Sequence, residues 1–137
     1  MKKGFTLVEI LFAIIIIGLA FVSLIAANIA YSQNNDFGRK MSVSETLLEQ
    51  AREFTLTRTY DQLSALDQTQ HCPPVDVTGN SLNDFPDYTQ KFIVENISES
   101  DYTSVVSDGA TDFVKVTVEV YKNSKKVNSS SWIRAKL

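Results

Sequence analysis

The sequence predicts an α+β fold: a long amino-terminal helix, membrane-spanning in its first half and amphipathic in its second, packed on a small antiparallel sheet of three to four strands. Three observations lead there. Residues Ile10 to Ala27 are apolar or small apart from Ser23. No proline occurs before Pro73, so nothing forces a break in a helix from about Phe5 to about Tyr60. Past residue 87 the hydrophobic period changes from that of a helix to the period of two of half-buried strands.

The apolar run comes first. From Ile10 to Ala27 a helix rises about 27 Å at 1.5 Å per residue, and adding Phe5, Thr6, Leu7 and Val8 makes it sufficient for a hydrocarbon core of about 30 Å. Lys2 and Lys3 flank the amino end, and no comparable basic cluster follows Ala27. The positive-inside bias therefore puts the amino terminus in the cytoplasm and the remainder outside, as a single-pass protein.

One acid interrupts the run near its start. A carboxylate at the centre of a membrane helix costs roughly 2.5 to 3.5 kcal/mol on insertion scales, so Glu9 marks a place where a partner charge is supplied. A secretory signal peptide shares the basic start but not the early acid, and no clean Ala-x-Ala site follows. A plain anchor explains the length and the lysines. It leaves Glu9 and the tetrad Gly4, Phe5, Thr6, Leu7 without a reason.

At Gly4-Phe5-Thr6-Leu7-Val8-Glu9 the chain resembles the type IV pilins and the pseudopilins of type II secretion, whose pattern is a short basic leader ending in Gly, then Phe, Thr, Leu, an aliphatic residue and Glu, leading into an apolar helix. The resemblance covers about the first thirty residues; beyond them only the general architecture is similar. It implies a leader at residues 1–4, cleavage between Gly4 and Phe5 on the cytoplasmic face by a prepilin peptidase, and N-methylation of Phe5. It also implies assembly with other pilin or pseudopilin subunits by platform proteins of the bacterial inner membrane. The free α-amine created on Phe5 has a reference pKa of about 7.7 to 8.0 and is largely cationic at neutral pH. In such filaments the glutamate meets the amine of a neighbouring subunit, and each charge alone is costly to bury. Glu9 is thereby assigned as an assembly contact. Before assembly it can instead snorkel to the cytoplasmic headgroups, being a turn inside the membrane edge.

After the core helix of residues 5–27, residues 28–60 continue it as an amphipathic stretch. Phe37, Met41, Leu47, Leu48, Ala51 and Phe54 recur at spacings near three and four, with Arg39, Glu45, Glu49, Arg52 and Glu53 elsewhere around the helix. Gln33 to Gly38 is a poor helix former, and Ser42-x-x-Glu45 matches a capping box that would start a new helix at about Val43. Either a continuous helix or a hinge near Gly38 fits these residues.

Residues 61–137 form the globular domain together with 28–60. Asp61 to Asp87 holds all three prolines and reads as loop, with one helical turn at Asp61 to Leu66. Tyr88 to Asn96 places Phe92 and Val94 opposite Lys91, Ile93 and Glu95, and Val114, Val116, Val118 and Val120 lie opposite Lys115, Thr117 and Glu119. Lys122 to Lys125 reads as a hairpin turn, Ser130 to Leu137 as a returning strand, and Tyr102 to Ser107 as a candidate fourth strand.

Candidate chemistry is sparse. His71 and Cys72 adjoin, but no second ligand cluster or orienting acid accompanies them. Cys72 is the sole cysteine, which excludes an intrachain disulfide; it is a buried or reactive thiol, or bonds to another chain. Major pilins commonly close a carboxy-terminal loop with a disulfide, so the resemblance points to a minor pilin or minor pseudopilin. A major subunit, or a tip adhesin or DNA-uptake subunit on the same anchor, is the alternative. Asp108 to Asp112 has acids spaced as in part of a calcium loop, yet lacks the carboxylate count and fixed glycine of an EF-hand. No catalytic residue, metal site or cofactor is expected. With Glu9 and the two leading lysines set aside, 15 acids face 11 lysines and arginines, which argues against nucleic acid as a partner.

Overall fold

The computed structural model describes residues 4–135. Lys2 and Lys3, and the Lys136–Leu137 end of the last expected strand, lie outside the described residues. The chain divides into two compact units, Met1–Arg39 and Lys40–Leu137. Its elements are helix α1 (Leu7–Leu56), the short helix α2 (Tyr60–Ser64), and strands β1 (Gln70–His71), β2 (Tyr88–Asn96), β3 (Phe113–Lys122) and β4 (Lys125–Ala135). The four strands form one antiparallel sheet in the order β1-β2-β3-β4.

The first unit is helical from Leu7 onward, with every described side chain exposed. Helix α1 is long and apolar enough to cross a membrane by length and composition. No hinge forms at Gln33–Gly38. A helical glycine costs only about 1 kcal/mol relative to alanine, and every residue there keeps its amide donor, so the helix passes through. The Ser42–Glu45 box likewise starts nothing, and the Ser42 carbonyl instead accepts the Thr46 hydroxyl at 3.2 Å.

In the second unit α1 buries Ser44, Leu47, Leu48, Ala51, Phe54 and Thr55. These recur at i, i+3, i+4 and i+7, the stripe of a helix lying on a core. Phe37, expected on this stripe, is 64% exposed and belongs to the first unit. Ser44 and Thr55 donate their hydroxyls to the Met41 and Arg52 carbonyls, both at 2.8 Å, so neither is left unsatisfied. The stripe packs with Val75, Tyr88 and Phe92 and with Val116, Val118 and Val120 of β3 in one hydrophobic cluster. Each fully buried valine contributes roughly 1.5 to 3 kcal/mol.

Gln90 stands in this core at 0% exposure. Its amide oxygen accepts the Val75 N–H at 2.8 Å and its amide nitrogen donates to the Leu47 carbonyl at 2.9 Å, tying strand, loop and helix together. Helix α1 ends at Leu56, short of the expected Tyr60, since the backbone is extended at Thr59, the N-cap of α2, with φ −72° and ψ 164°. The Arg134 guanidinium from β4 donates to the Thr55 carbonyl and, at 3.0 Å, to that of Arg58. A cation on the last carbonyls satisfies groups a helix leaves open and complements its dipole.

Two strand assignments change. Tyr102 to Ser107 forms no strand beyond one isolated bridge between Ile97 and Val105. The Asp101 carboxylate takes the Thr103 and Ser104 amides at 3.0 Å each, and Tyr102 sits at φ 56°, so the backbone turns where a ladder would need it extended. The fourth strand is instead β1, two residues within the stretch expected to be loop. Strand β4 starts at Lys125 rather than Ser130, straight after a two-residue turn in which Asn123 and Ser124 adopt φ 49° and 64°.

Candidate functional site

The apolar run meets its single acid at the start of α1. Gly4, Phe5 and Thr6 precede the helix, and Phe5 is 81% exposed. A helix leaves its first N–H groups without intrahelical partners. Here Glu9 and Thr6 supply them reciprocally: Glu9 Oε2 accepts the Thr6 N–H at 3.3 Å and the Thr6 hydroxyl at 3.3 Å, while Thr6 Oγ1 accepts the Glu9 N–H at 3.3 Å. This is a capping box, with Thr6 as the cap and Glu9 three positions on. It folds the carboxylate back toward the amino end of its own chain, where the positive end of the helix dipole favours an anion.

Thr6 was legible only as part of the family pattern. Its independent signal was present: a threonine followed three residues later by glutamate, directly before an apolar run, is a helix-start signature. From Leu7 through Ile29 the large apolar side chains of α1 are 49% to 81% exposed, a surface that water does not favour and that fits membrane anchoring.

The other candidate groups do not converge on a second site. His71 lies edge-on to the Phe92 ring, centroids 5.6 Å apart, and burial pushes its imidazole below its ordinary range. Cys72 is exposed rather than buried, its Sγ 3.6 Å from the Pro86 carbonyl. Asp108 accepts the Tyr60 hydroxyl at 2.5 Å and the Asn96 amide at 3.4 Å, fastening the 97–112 loop to α2. Among the described residues no group of three His, Cys, Asp or Glu side chains gathers in a way that holds a metal ion.

Residues 1–25 match the family model of the prokaryotic N-terminal methylation motif. No curated protein and no solved structure matches the chain. The match covers the segment that carries Gly4, the Thr6–Glu9 cap and most of the exposed apolar stretch of α1. The chain thus carries the prepilin-type N-terminal methylation motif, and its long apolar amino-terminal helix fits a type IV pilin-like protein.

Proposed function

We propose that the protein is a structural subunit, a minor pilin or minor pseudopilin, of a type IV pilus-like or type II secretion filament. A prepilin peptidase cleaves it between Gly4 and Phe5, and the new amine on Phe5 is methylated. It waits in the inner membrane as a single-pass protein with the amino terminus cytoplasmic until platform proteins extract it into a filament with other pilin subunits. The role is structural, not enzymatic.

The observation that supports this most is the Thr6–Glu9 cap at the head of an exposed apolar helix. Gly4 and Phe5 precede that helix, so the bond between them is free of helical hydrogen bonding and open to a protease. The carboxylate sits four residues from the amine that cleavage creates. On assembly, the amine of a neighbouring subunit supplies the cation that the low-dielectric filament core requires beside Glu9. The minor role follows from the single cysteine, Cys72, which permits no disulfide-closed carboxy-terminal loop.

Intact-mass measurement of the chain purified from membranes tests the processing. The expected product begins at Phe5 and carries one added methyl group. A chain retaining Met1 through Gly4, or one cut after the apolar run, overturns the reading.

A further inference from the structure

The two edges of the sheet are finished differently. Along β2 the outward N–H groups are taken: Phe92 donates to the Thr69 carbonyl at 3.0 Å, Val94 to the Asp67 carboxylate at 2.9 Å, and β1 pairs beside them. Backbone groups alternate in direction along an antiparallel ladder. The residues of β2 facing β3 are therefore Thr89, Lys91, Ile93 and Glu95, opposite Tyr121, Glu119, Thr117 and Lys115. The next residues of β3, Val116 and Val118, face β4 through Trp132 and Ser130. Ser129, Ser131 and Ile133 then point their N–H and C=O groups away from the sheet.

Asn128 Oδ1 covers the first of these, accepting the Ser129 N–H at 2.9 Å. No fifth strand lies along β4 among the described residues. Lys125, Lys126 and a register shift beside Val120 blunt the start of β4, but from Asn128 to Ile133 the edge carries no proline and no charged residue. Ser131 is exposed and Ile133 is 47% exposed.

A groove of about 340 Å³ runs beside this edge, between β4 and the second-unit part of α1. Glu45, Glu49 and Arg52 line it from the helix and Ser129 and Trp132 from the strand. Neither glutamate forms an ion pair with a described residue, and the indole N–H of Trp132 has no acceptor among them. Two acids against one arginine make the wall net acidic.

We propose that the β4 edge accepts an extended, basic segment of a different polypeptide chain, added as a fifth strand with its basic side chains over Glu45 and Glu49. The repeat of outward N–H and C=O groups at every second residue is matched by another strand. The charge of the groove selects the partner. A second copy joined edge to edge in a continuous sheet would bring two acidic grooves together, whereas a basic strand neutralises one. This interface lies within the Lys40–Leu137 unit and is independent of the filament reading above.

The full chain in zwitterionic detergent micelles tests the proposal, with a seven-residue peptide of alternating lysine and threonine as probe and its glutamate-for-lysine analogue as comparison. Trp132 is the sole tryptophan, so its emission reports on the groove, and amide exchange reports on Ser131 and Ile133. The lysine probe is expected to shift the emission saturably and to slow exchange at both amides. The analogue is expected to bind at least roughly tenfold more weakly, as like charge does across an interface. Ser131→Pro removes an outward donor without touching the β3 ladder and should abolish binding. The surface pair Glu45→Gln and Glu49→Gln, which leaves the fold alone, should erase the preference for lysine. Equal binding of both probes, undiminished binding by Ser131→Pro, or protection of Ser131 that grows with protein concentration in the absence of peptide would each overturn the proposal.

Discussion

Replacing Gln90 by leucine removes one side chain and breaks two hydrogen bonds, both to backbone groups that remain behind. The Leu47 carbonyl keeps its helical partner, so its loss is the smaller. Val75 is 4% exposed, and its N–H, which donates to Gln90 Oε1 at 2.8 Å, has no other acceptor assigned to it. An orphaned buried donor costs about 1 to 3 kcal/mol, and the leucine, close in volume, recovers part of that through apolar burial. The expected net loss is about 2 kcal/mol. For a unit the size of Lys40–Leu137 each kcal/mol moves the midpoint by about 4 to 8 °C, so thermal unfolding followed by Trp132 fluorescence should show Tm lower by roughly 10 °C. A variant that unfolds at the same temperature as the unaltered chain, or higher, refutes the assignment of Gln90 as the polar tie between sheet and helix.

Other expectations follow from single contacts. Arg134→Ala uncovers the Thr55 and Arg58 carbonyls and should lower stability by about 1 to 2 kcal/mol, read by urea unfolding, with Arg134→Lys recovering only part of it. Ser124→Gly should stabilise by about 0.5 to 1 kcal/mol, because φ 64° strains serine but not glycine; equilibrium unfolding should show a higher midpoint. Gly79→Ala should destabilise, since φ is 95° there and a Cβ would stand 3.1 Å from the Phe54 ring. Hydrogen bonds from the Ser104 hydroxyl and amide and the Thr103 amide hold the Asp101 carboxyl down at about 2. Its contribution is present above the ordinary carboxylate range and is lost as pH falls from about 4 to about 2. Amide protection at Thr103 and Ser104, taken relative to the intrinsic exchange rate at each pH, should fall across that window and stay constant above it.

The long-range plan was legible because strong periodic signals carried it. Val114, Val116, Val118 and Val120 alternate without exception and are all buried, and Tyr88–Asn96 is a strand over the residues its pattern marks. The absence of proline before Pro73 was a better guide to α1 than the weak helix formers at Gln33–Gly38, since propensity differences of a few tenths to 1 kcal/mol do not end a helix by themselves. Tertiary contacts were invisible. Nothing in the spacing of Arg134 tells that it covers the carbonyls at the end of α1, or that Gln90 belongs in the core by virtue of two distant backbone partners. Strand β1 is two residues long and offers no period, and Tyr102–Ser107 had the period but lost its backbone to the Asp101 side chain. At the amino end the acid was legible as an anomaly. Its reciprocal bond with Thr6 went unread, although the Thr-x-x-Glu spacing carries it.

Glu9 caps its own helix, and the proposed filament contact asks it in addition to supply charge to a neighbour; one substitution divides the two. Glu9→Gln retains an amide oxygen able to accept the Thr6 N–H, as glutamine does in a capping box, but removes the charge. The decisive measurement is the amount of Glu9→Gln protein in filaments sheared from cells, relative to its amount in the membrane. The expected result is a chain that inserts and is processed at Gly4 as usual yet is missing from the filaments. Incorporation equal to that of the unaltered chain would show that the cap alone suffices and would contradict the charge pairing on which the account rests.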